Sequence, residues 1–592
     1  MLIQRLVEHA ATTDGTAAPR YHRSRAVRWT VRIDEHGTGS LIDRADSNNK
    51  AGAQEATPYL TRTSGIAAML LVDTLEYVFG IPKDETDKAK KAAQRRNDAY
   101  LTMLHEWRDA TADPVAATVC DFFDAKRHIT LAAQLPAAAA ASEIVAIMVG
   151  NEFVHRRSSA IDHWSGVARR RKGSGDEGIC LACGSIGPLL KTVPDMVKSS
   201  LIPVGIDTSG RSKRGRDAAL ISVNTGAQGR GGVLQLANTP LCETCGSQAM
   251  AALNHLLGNE RHRRRGDDSV LTWWLREPAE FDLMVIDRPE LADVKALLNE
   301  VSNARPGTSV DHNAFHALTL SANQSRIVVR DWMDIPVHDI RARLAAWFND
   351  HGSTDHWADG VHYVPLWKLV RASGRWNRSA QQYVPGSVAH GLERDLLRAA
   401  LHGVPPPPHL VPRLLHRIRN DHHVDLPRVA LLRLALTRPP YKENVMSGLD
   451  ETEDDPAYVW GRIFAVLEAI QRRALPDVNA TIRDRWFGLA MTQPGATLCM
   501  LSRNAIGHIK KLVGKDETRA AGRALDARLA DLINPLNSKT GLPSHLDVRG
   551  QVRFIIGYNH QRSADLSAAR AANAAKKAKE GDGSADGPSA DQ

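Results

Sequence analysis

The chain holds only 6 cysteines in 592 residues, too few for a disulfide-stapled scaffold. It has no run of about 18 apolar residues, so no membrane span is expected. The nearest approach, 131–150, is broken by Pro136 and Glu143. The opening, 1–11, sets Arg5 and Glu8 among its apolar residues and reads as a short amphipathic helix, not a secretory signal. With no such signal, a reducing, cytoplasmic location is expected. Catalytic signatures are lacking as well. There is no Gly-x-Ser-x-Gly elbow and no His-Glu-x-x-His. The Gly-rich stretch 226–232 lacks the Gly-Lys-Ser/Thr ending of a phosphate loop. Asp421-His422-His423 spells a phosphoesterase signature, but it follows a basic amphipathic helix where that family has a strand. The leading expectation is a nucleic-acid binder without chemistry of its own, and so not an enzyme.

What is present is a globular composition, 43% hydrophobic and 24% charged, with an uneven charge distribution. The net charge is +9, and residues 156–265 carry 17 basic and 8 acidic side chains, the whole of the excess. Four of the six cysteines lie in that stretch as two matched pairs, Cys180-Leu-Ala-Cys183-Gly and Cys242-Glu-Thr-Cys245-Gly. Two residues between thiolates let both sulfurs reach one cation, and a following glycine relaxes the turn. Two such knuckles predict one closed, structural zinc site of four thiolates. A redox pair needs no second copy. Cys120 and Cys499 stand alone and read as small hydrophobes.

Basic clusters flank the knuckles. Arg169, Arg170, Arg171 and Lys172 precede the first pair; Arg211, Lys213, Arg214 and Arg216 fall between the pairs; Arg261, Arg263, Arg264 and Arg265 follow the second. Any one cluster is equally well a solvated surface run. Three gathered by one metal favour phosphate contacts with nucleic acid.

The fold class expected is α+β. Residues 143–154, 219–224 and 326–332 read as strands, and 83–107 as a helix. Residues 1–385 form the mixed region, with the basic zinc-binding module, 156–265, inside it. From 386 to 562 the periodicity is helical almost throughout, with helices at 387–401, 410–420, 426–436 and 455–473. Beyond 562 the chain is rich in Ala, Lys, Gly, Ser and Asp and lacks aromatics, which predicts a disordered tail over 563–592.

Three runs in the helical half carry a resemblance. They are Asp454-Asp-Pro-Ala-Tyr458 with Gly461-Arg-Ile-Phe464 through Glu468 and Gln471; Asn479-Ala-Thr-Ile-Arg483-Asp-Arg-Trp-Phe487-Gly488; and Gly557-Tyr558-Asn-His560-Gln561-Arg562. More loosely, Arg62-Thr-Ser-Gly-Ile66, Tyr77-Val-Phe-Gly80, Leu220-Ile-Ser-Val-Asn224 and Leu318-Thr-Leu-Ser-Ala-Asn323 fit the same family. The sequence resembles the large subunit of the type I-C (Dvulg-type) CRISPR surveillance complex, Cascade. Two features depart from that family: Ala67-Ala-Met-Leu-Leu-Val-Asp73-Thr74 replaces an Asn-containing run, and the double knuckle belongs to a subset.

The resemblance implies a non-catalytic subunit of an RNA-guided complex. Guide pairing reads the target, while protein reads a short flanking motif, the PAM. The implied partners are guide RNA, target duplex, the backbone and handle-binding subunits, a small subunit and the helicase–nuclease, with no membrane. The subunit would help open the duplex, form the R-loop and recruit the nuclease. Arg62, Thr63 and Ser64 lie where PAM contact is plausible, although Ser64 as the cap of a following helix is the preferred reading. Arg483 and Arg485 are candidates for the displaced strand, or for an internal ion pair with Asp484 or Glu468. Met446 precedes the strongest run and is a candidate internal start for a small subunit. The competing readings are a stand-alone zinc-ribbon DNA-binding regulator and, less favoured, a nuclease.

Overall fold

The structure is a computed structural model that describes residues 2–12, 19–47, 49–62, 65–203, 217–303, 313–323, 326–539 and 541–582. It is α+β, with strands concentrated in the first half and helices in the second. The chain divides into two compact units. One comprises residues 1–279 with 313–335, and the other 280–312 with 336–592.

The first unit is built on two sheets. In one, strands run in the order Gly39–Asp43, Trp29–Ile33, Ile144–Val149 and Val72–Thr74, with Glu152–Phe153 paired to Ile144–Val149. Trp29–Ile33 and Ile144–Val149 are parallel, with Val31 opposite Ile147. Their buried apolar side chains join Leu70, Leu71, Trp107, Phe122, Phe123 and Trp164 in one core. The helices covering it begin at side-chain caps: Thr86 accepts from the Ala89 N–H, and Asp113 from the Val115 N–H ahead of helix Pro114–Asp124. The second sheet runs Arg263–Arg265, Val270–Leu275, Ala314–Asn323, Arg326–Pro336. The predicted strand at 219–224 is absent. Only single bridges form nearby, Val197 to Ala218 and Ala219 to Arg326. The Ser222 hydroxyl and the Gln235 amide both donate to the Asn224 side chain, and these local bonds replace a ladder.

The second unit is helical apart from two short strand pairs. Its start differs from the change of texture at 385, because helices Val337–His351 and Leu366–Ala372 already pack against Leu392–His402 and Leu426–Thr437. Short strands between these helices hide the helical texture at the sequence level. The predicted helices at 410–420, 426–436 and 455–473 form as Leu410–Asp421, Leu426–Thr437 and Pro456–Ala474. Asp425 and Asp455 cap the last two, each just ahead of a proline in the first turn.

Helix Pro456–Ala474 crosses the long helix Val548–Asp582 at very short range. A Cβ on Gly461 would lie 2.1 Å from the Phe554 carbonyl oxygen, and one on Gly557 would lie 2.2 Å from that of Tyr458. Two glycines let the backbones meet, and Trp460, Phe464, Phe487, Phe554 and Tyr558 pack edge to face around the crossing.

The tail expectation is corrected in part: the final helix runs on to Asp582. Ser563 is buried with its hydroxyl 2.9 Å from His356 Nδ1, and Arg570 donates to the His356 carbonyl at 2.6 Å. Alanine-rich sequence is strongly helix-forming, and these contacts anchor it. Residues 583–592 lie outside the described residues.

Candidate functional site

The two cysteine pairs meet. Gly173–Ile179 and Ile186–Leu190 form an antiparallel hairpin, and the first knuckle is its turn. The Gly184 N–H closes that turn on the Cys180 carbonyl at 2.8 Å, and the Cys180 N–H bonds the Ser185 carbonyl at 2.9 Å. Gly184 has φ +75°, a conformation that glycine adopts without strain. The second knuckle is brought alongside by backbone bonds from Leu181 to Pro240 and from Leu190 to Leu241, both 2.9 Å. Cys242 then stands at the N-cap position of helix Glu243–Gly258, without a side-chain capping bond, and Cys245 sits in its first turn. The second glycine has a different role: a Cβ on Gly246 would lie 2.4 Å from Leu190 Cδ1.

All four sulfurs lie within 4.8 Å of one another, and those of Cys183 and Cys242 are 3.9 Å apart. Four thiolates on a tetrahedral zinc at ~2.3 Å stand ~3.8 Å apart, so the donor set fits that ion. Burial pushes the Cys245 and Cys242 thiols up, whereas the Ser185 backbone N–H and hydroxyl bring Cys183 down to about 6. Buried thiolates need a cation nearby, and a helix N-terminus supplies only part of that field. Cys180 and Cys245 belong to the hydrophobic cluster that also holds Leu6, Leu190, Leu253, Val270, Trp274 and Leu318. The knuckles are thus part of the core of the first unit. Cys120 is buried and Cys499 exposed, both away from this cluster.

Several predicted contact residues serve internal structure. Arg169 Nε donates to Glu243 Oε2 at 2.7 Å, which ties the helix Ser158–Lys172 to the second knuckle. Arg171 donates to the Ala68 carbonyl at 2.9 Å and sits over Trp164. Arg170 is exposed and Lys172 half-buried. The third cluster is partly a strand: Arg264 is buried, Arg263 donates to the Leu257 carbonyl and Arg265 to that of Ser200. Arg261 is exposed. Arg62 pairs with buried Asp73, donates to the Ala67 carbonyl and stacks 4.0 Å over Tyr77. Residues 65–71 form no helix. Thr63, Ser64, Arg211, Lys213, Arg214 and Arg216 lie outside the described residues.

In the helical unit the family-like runs are internal. The Tyr558 hydroxyl donates to Glu468 at 2.7 Å and accepts from Arg562 at 2.9 Å. His560 Nδ1 is 3.1 Å from the Tyr458 hydroxyl, and Arg462 donates to Gln561 at 3.0 Å. Asp484 completes a capping box with Thr481 and pairs with Arg378 at 3.2 Å. Arg483 is half-buried; burial works against its charge, but the neighbouring Tyr558 and Glu468 outweigh it and shift the guanidinium up, while Arg485 is exposed. Met446 is 52% exposed, on the loop between Leu426–Thr437 and Pro456–Ala474.

The Asp421-His422-His423 run is structural in its acid. Asp421 accepts from Arg428 at 2.6 Å and from the Trp376 N–H at 2.9 Å, while His423 stacks on Trp376 at 3.8 Å. Among the described residues the four cysteines are the one group placed to hold a metal ion. The run lines a cavity of about 630 Å³ with His356, Trp357, Arg378, Arg483 and Arg562. Sequence reasoning missed this cavity. Its residues come from separate segments spread from Asp355 to Arg562, and only the Asp-His-His run hinted at it.

An α+β chain with a four-cysteine cluster amid basic residues and a tightly crossed helical bundle suits a nucleic-acid-associated protein. The family model for CRISPR-associated protein (Cas_Csd1) matches residues 3–565. The chain belongs to that family, and is a CRISPR-associated Cascade subunit. No curated protein matches it. No helix among the described residues is long and apolar enough to cross a membrane.

Proposed function

We propose that the chain is the non-catalytic large subunit of a type I-C Cascade. In this role it grips the PAM-side duplex, helps to open it, supports the R-loop and docks the helicase–nuclease in the cytoplasm. The observation that carries the reading is the family match along residues 3–565, which spans both units. The four cysteines hold one structural zinc that fixes the hairpin turn to the helix Glu243–Gly258. Exposed Arg170 and Arg261 supply phosphate contacts. Met446 starts a separately made small subunit of residues 446–592, whose helices from Pro456 onward pack on one another.

Co-purification with the products of neighbouring genes tests the reading. The expected result is a complex containing RNA with a repeat-derived 5′ handle, and a second, shorter species beginning at Met446 by mass spectrometry. Sequence-specific duplex binding by the chain without RNA would instead support a stand-alone regulator. Metal-dependent cleavage of DNA by the purified chain would overturn the non-catalytic assignment.

A further inference from the structure

The first unit holds a cavity of about 430 Å³, the size of a small-ligand site. Helix Leu2–Thr12, strand His22–Val27, the segment 195–201 and helix Glu243–Gly258 wall it. Three observations indicate what it takes.

The first is a buried donor fork. Arg23 lines the cavity and is only 6% exposed. Its Nη1 faces Asp195 Oδ1 at 3.3 Å and Asp217 Oδ2 at 3.4 Å. Its Nε and Nη2 are buried and meet no partner among the described residues. These two nitrogens share one edge of the planar guanidinium, and that edge matches the two oxygens of a carboxylate. Two empty donors on a buried cation are costly, so the fork calls for an acceptor.

The second is a pair of acceptors on the same wall. His22 Nδ1 lies 2.8 Å from the Arg20 carbonyl, which can only accept, so Nδ1 carries the proton. Burial lowers His22 to about 4, which leaves the ring neutral and Nε2 an acceptor. Asn254 donates its amide to Asp195 Oδ2 and to the Met196 carbonyl, both at 3.2 Å. His22 Nε2 and Asn254 Oδ1 are both buried and without a partner among the described residues. A ligand must therefore donate as well as accept. A plain anion would fill the fork and strand both acceptors.

The third is balance. At the cavity Arg23 and Lys198 stand against Asp195 and Asp217, two charges of each sign, which suits a ligand that is neutral overall. The rest of the wall is apolar and mostly small, with Ala10, Leu201, Ala251 and Ala252 leaving room for an apolar group.

We propose that this cavity binds a free α-amino acid with an apolar side chain, its carboxylate on the Arg23 fork and its ammonium at His22 Nε2 and Asn254 Oδ1. Near neutral pH such a molecule carries one charge of each sign. The site asks nothing of nucleic acid, so it goes beyond the proposed function and does not rest on it. Because the ligand touches stretches far apart in the chain, its binding stabilises the folded unit.

The full-length chain is titrated calorimetrically with L-leucine and L-phenylalanine. Isovalerate, a carboxylate without the ammonium, and isoamylamine, an amine without the carboxylate, are titrated beside them. We expect at least one of the two amino acids to bind one site per chain with a dissociation constant below about 1 mM and to raise the melting temperature. Isovalerate and isoamylamine should bind at least about tenfold more weakly. Arg23→Lys keeps the charge but loses the fork, and should weaken binding about tenfold. Ala251→Leu fills the cavity without touching a polar group, and should abolish binding in a chain that still melts cooperatively. No binding of either amino acid at roughly 10 mM overturns the proposal. Isovalerate binding as tightly as L-leucine also overturns it, by making the ligand a simple carboxylate. Wild-type affinity in Ala251→Leu overturns it by placing the site elsewhere, and this variant decides the matter if Arg23→Lys fails to fold.

Discussion

Basic residues that attract attention in a sequence divide, once folded, into those that hold the protein together and those left to meet a partner. Arg62 belongs to the first group through fully buried Asp73, whose carboxylate also accepts from the Met69 N–H at 2.9 Å. Removing the guanidinium leaves a buried carboxylate uncompensated. Because Arg62 is itself a quarter exposed, we expect Arg62→Ala to cost about 2 kcal/mol, below the roughly 3–5 kcal/mol of a fully buried pair. Arg62→Ala combined with Asp73→Asn should recover part of that loss, as measured by denaturant midpoints. Arg485→Ala, at an exposed position, should change stability by less than about 0.5 kcal/mol. Sequence alone did not separate these two arginines. Charge and position along the chain carry no record of which carboxylate lies opposite in space.

At the scale of elements, the family-like runs are legible because they encode close packing. Gly461, Phe464, Glu468, Phe487, Gly557 and Tyr558 converge on one helix crossing. Alanine normally favours a helix over glycine by about 1 kcal/mol. At Gly461 the added Cβ meets a backbone carbonyl that cannot rotate away. Steric cost should outweigh propensity, and we expect Gly461→Ala to lose about 2 kcal/mol in the full chain. A gain in stability would show that the helices are farther apart than described here. The knuckles were equally legible, since Cys-x-x-Cys-Gly states a local geometry that needs no long-range information. The purified chain should carry one zinc by elemental analysis, and Cys180→Ser or Cys245→Ser should lose it and lower the melting temperature. A metal-free wild type that melts cooperatively, with no change on adding chelator, would contradict a structural metal. The strand expected at 219–224 was not legible, because side-chain bonds around Asn224 outcompete a β-branched run.

At the scale of the whole molecule, the fold class could be read from composition and periodicity, but the division into units could not. The helical unit begins at residue 336 and takes in 280–312, a long-range association that local texture does not report. Buried histidines in both units shape the chain's response to acid. Burial lowers His155, His351 and His560 to about 3 in the folded chain, against 6.5 for the free side chain. As pH falls below about 6.5 the unfolded chain takes up protons that the folded chain refuses, so stability is full above that value and declines toward pH 3. Asp195, raised to about 6 by burial, and Asp565, also raised by burial, act in the opposite sense, but the lowered histidines, which include His9, His22, His316 and His356 as well, outnumber them. Denaturant midpoints should therefore be flat above about pH 6.5 and fall below it, with a shallower fall in His560→Gln. The central claim is that this chain lets a guide-bearing complex engage duplex DNA. Its most direct test compares complexes assembled with and without the chain, by permanganate reactivity of a target duplex matched to the guide. With the chain, opening should occur and depend on the flanking motif; without it, the complex should retain its RNA and leave the duplex closed. Equal, motif-dependent opening by both complexes would contradict the account.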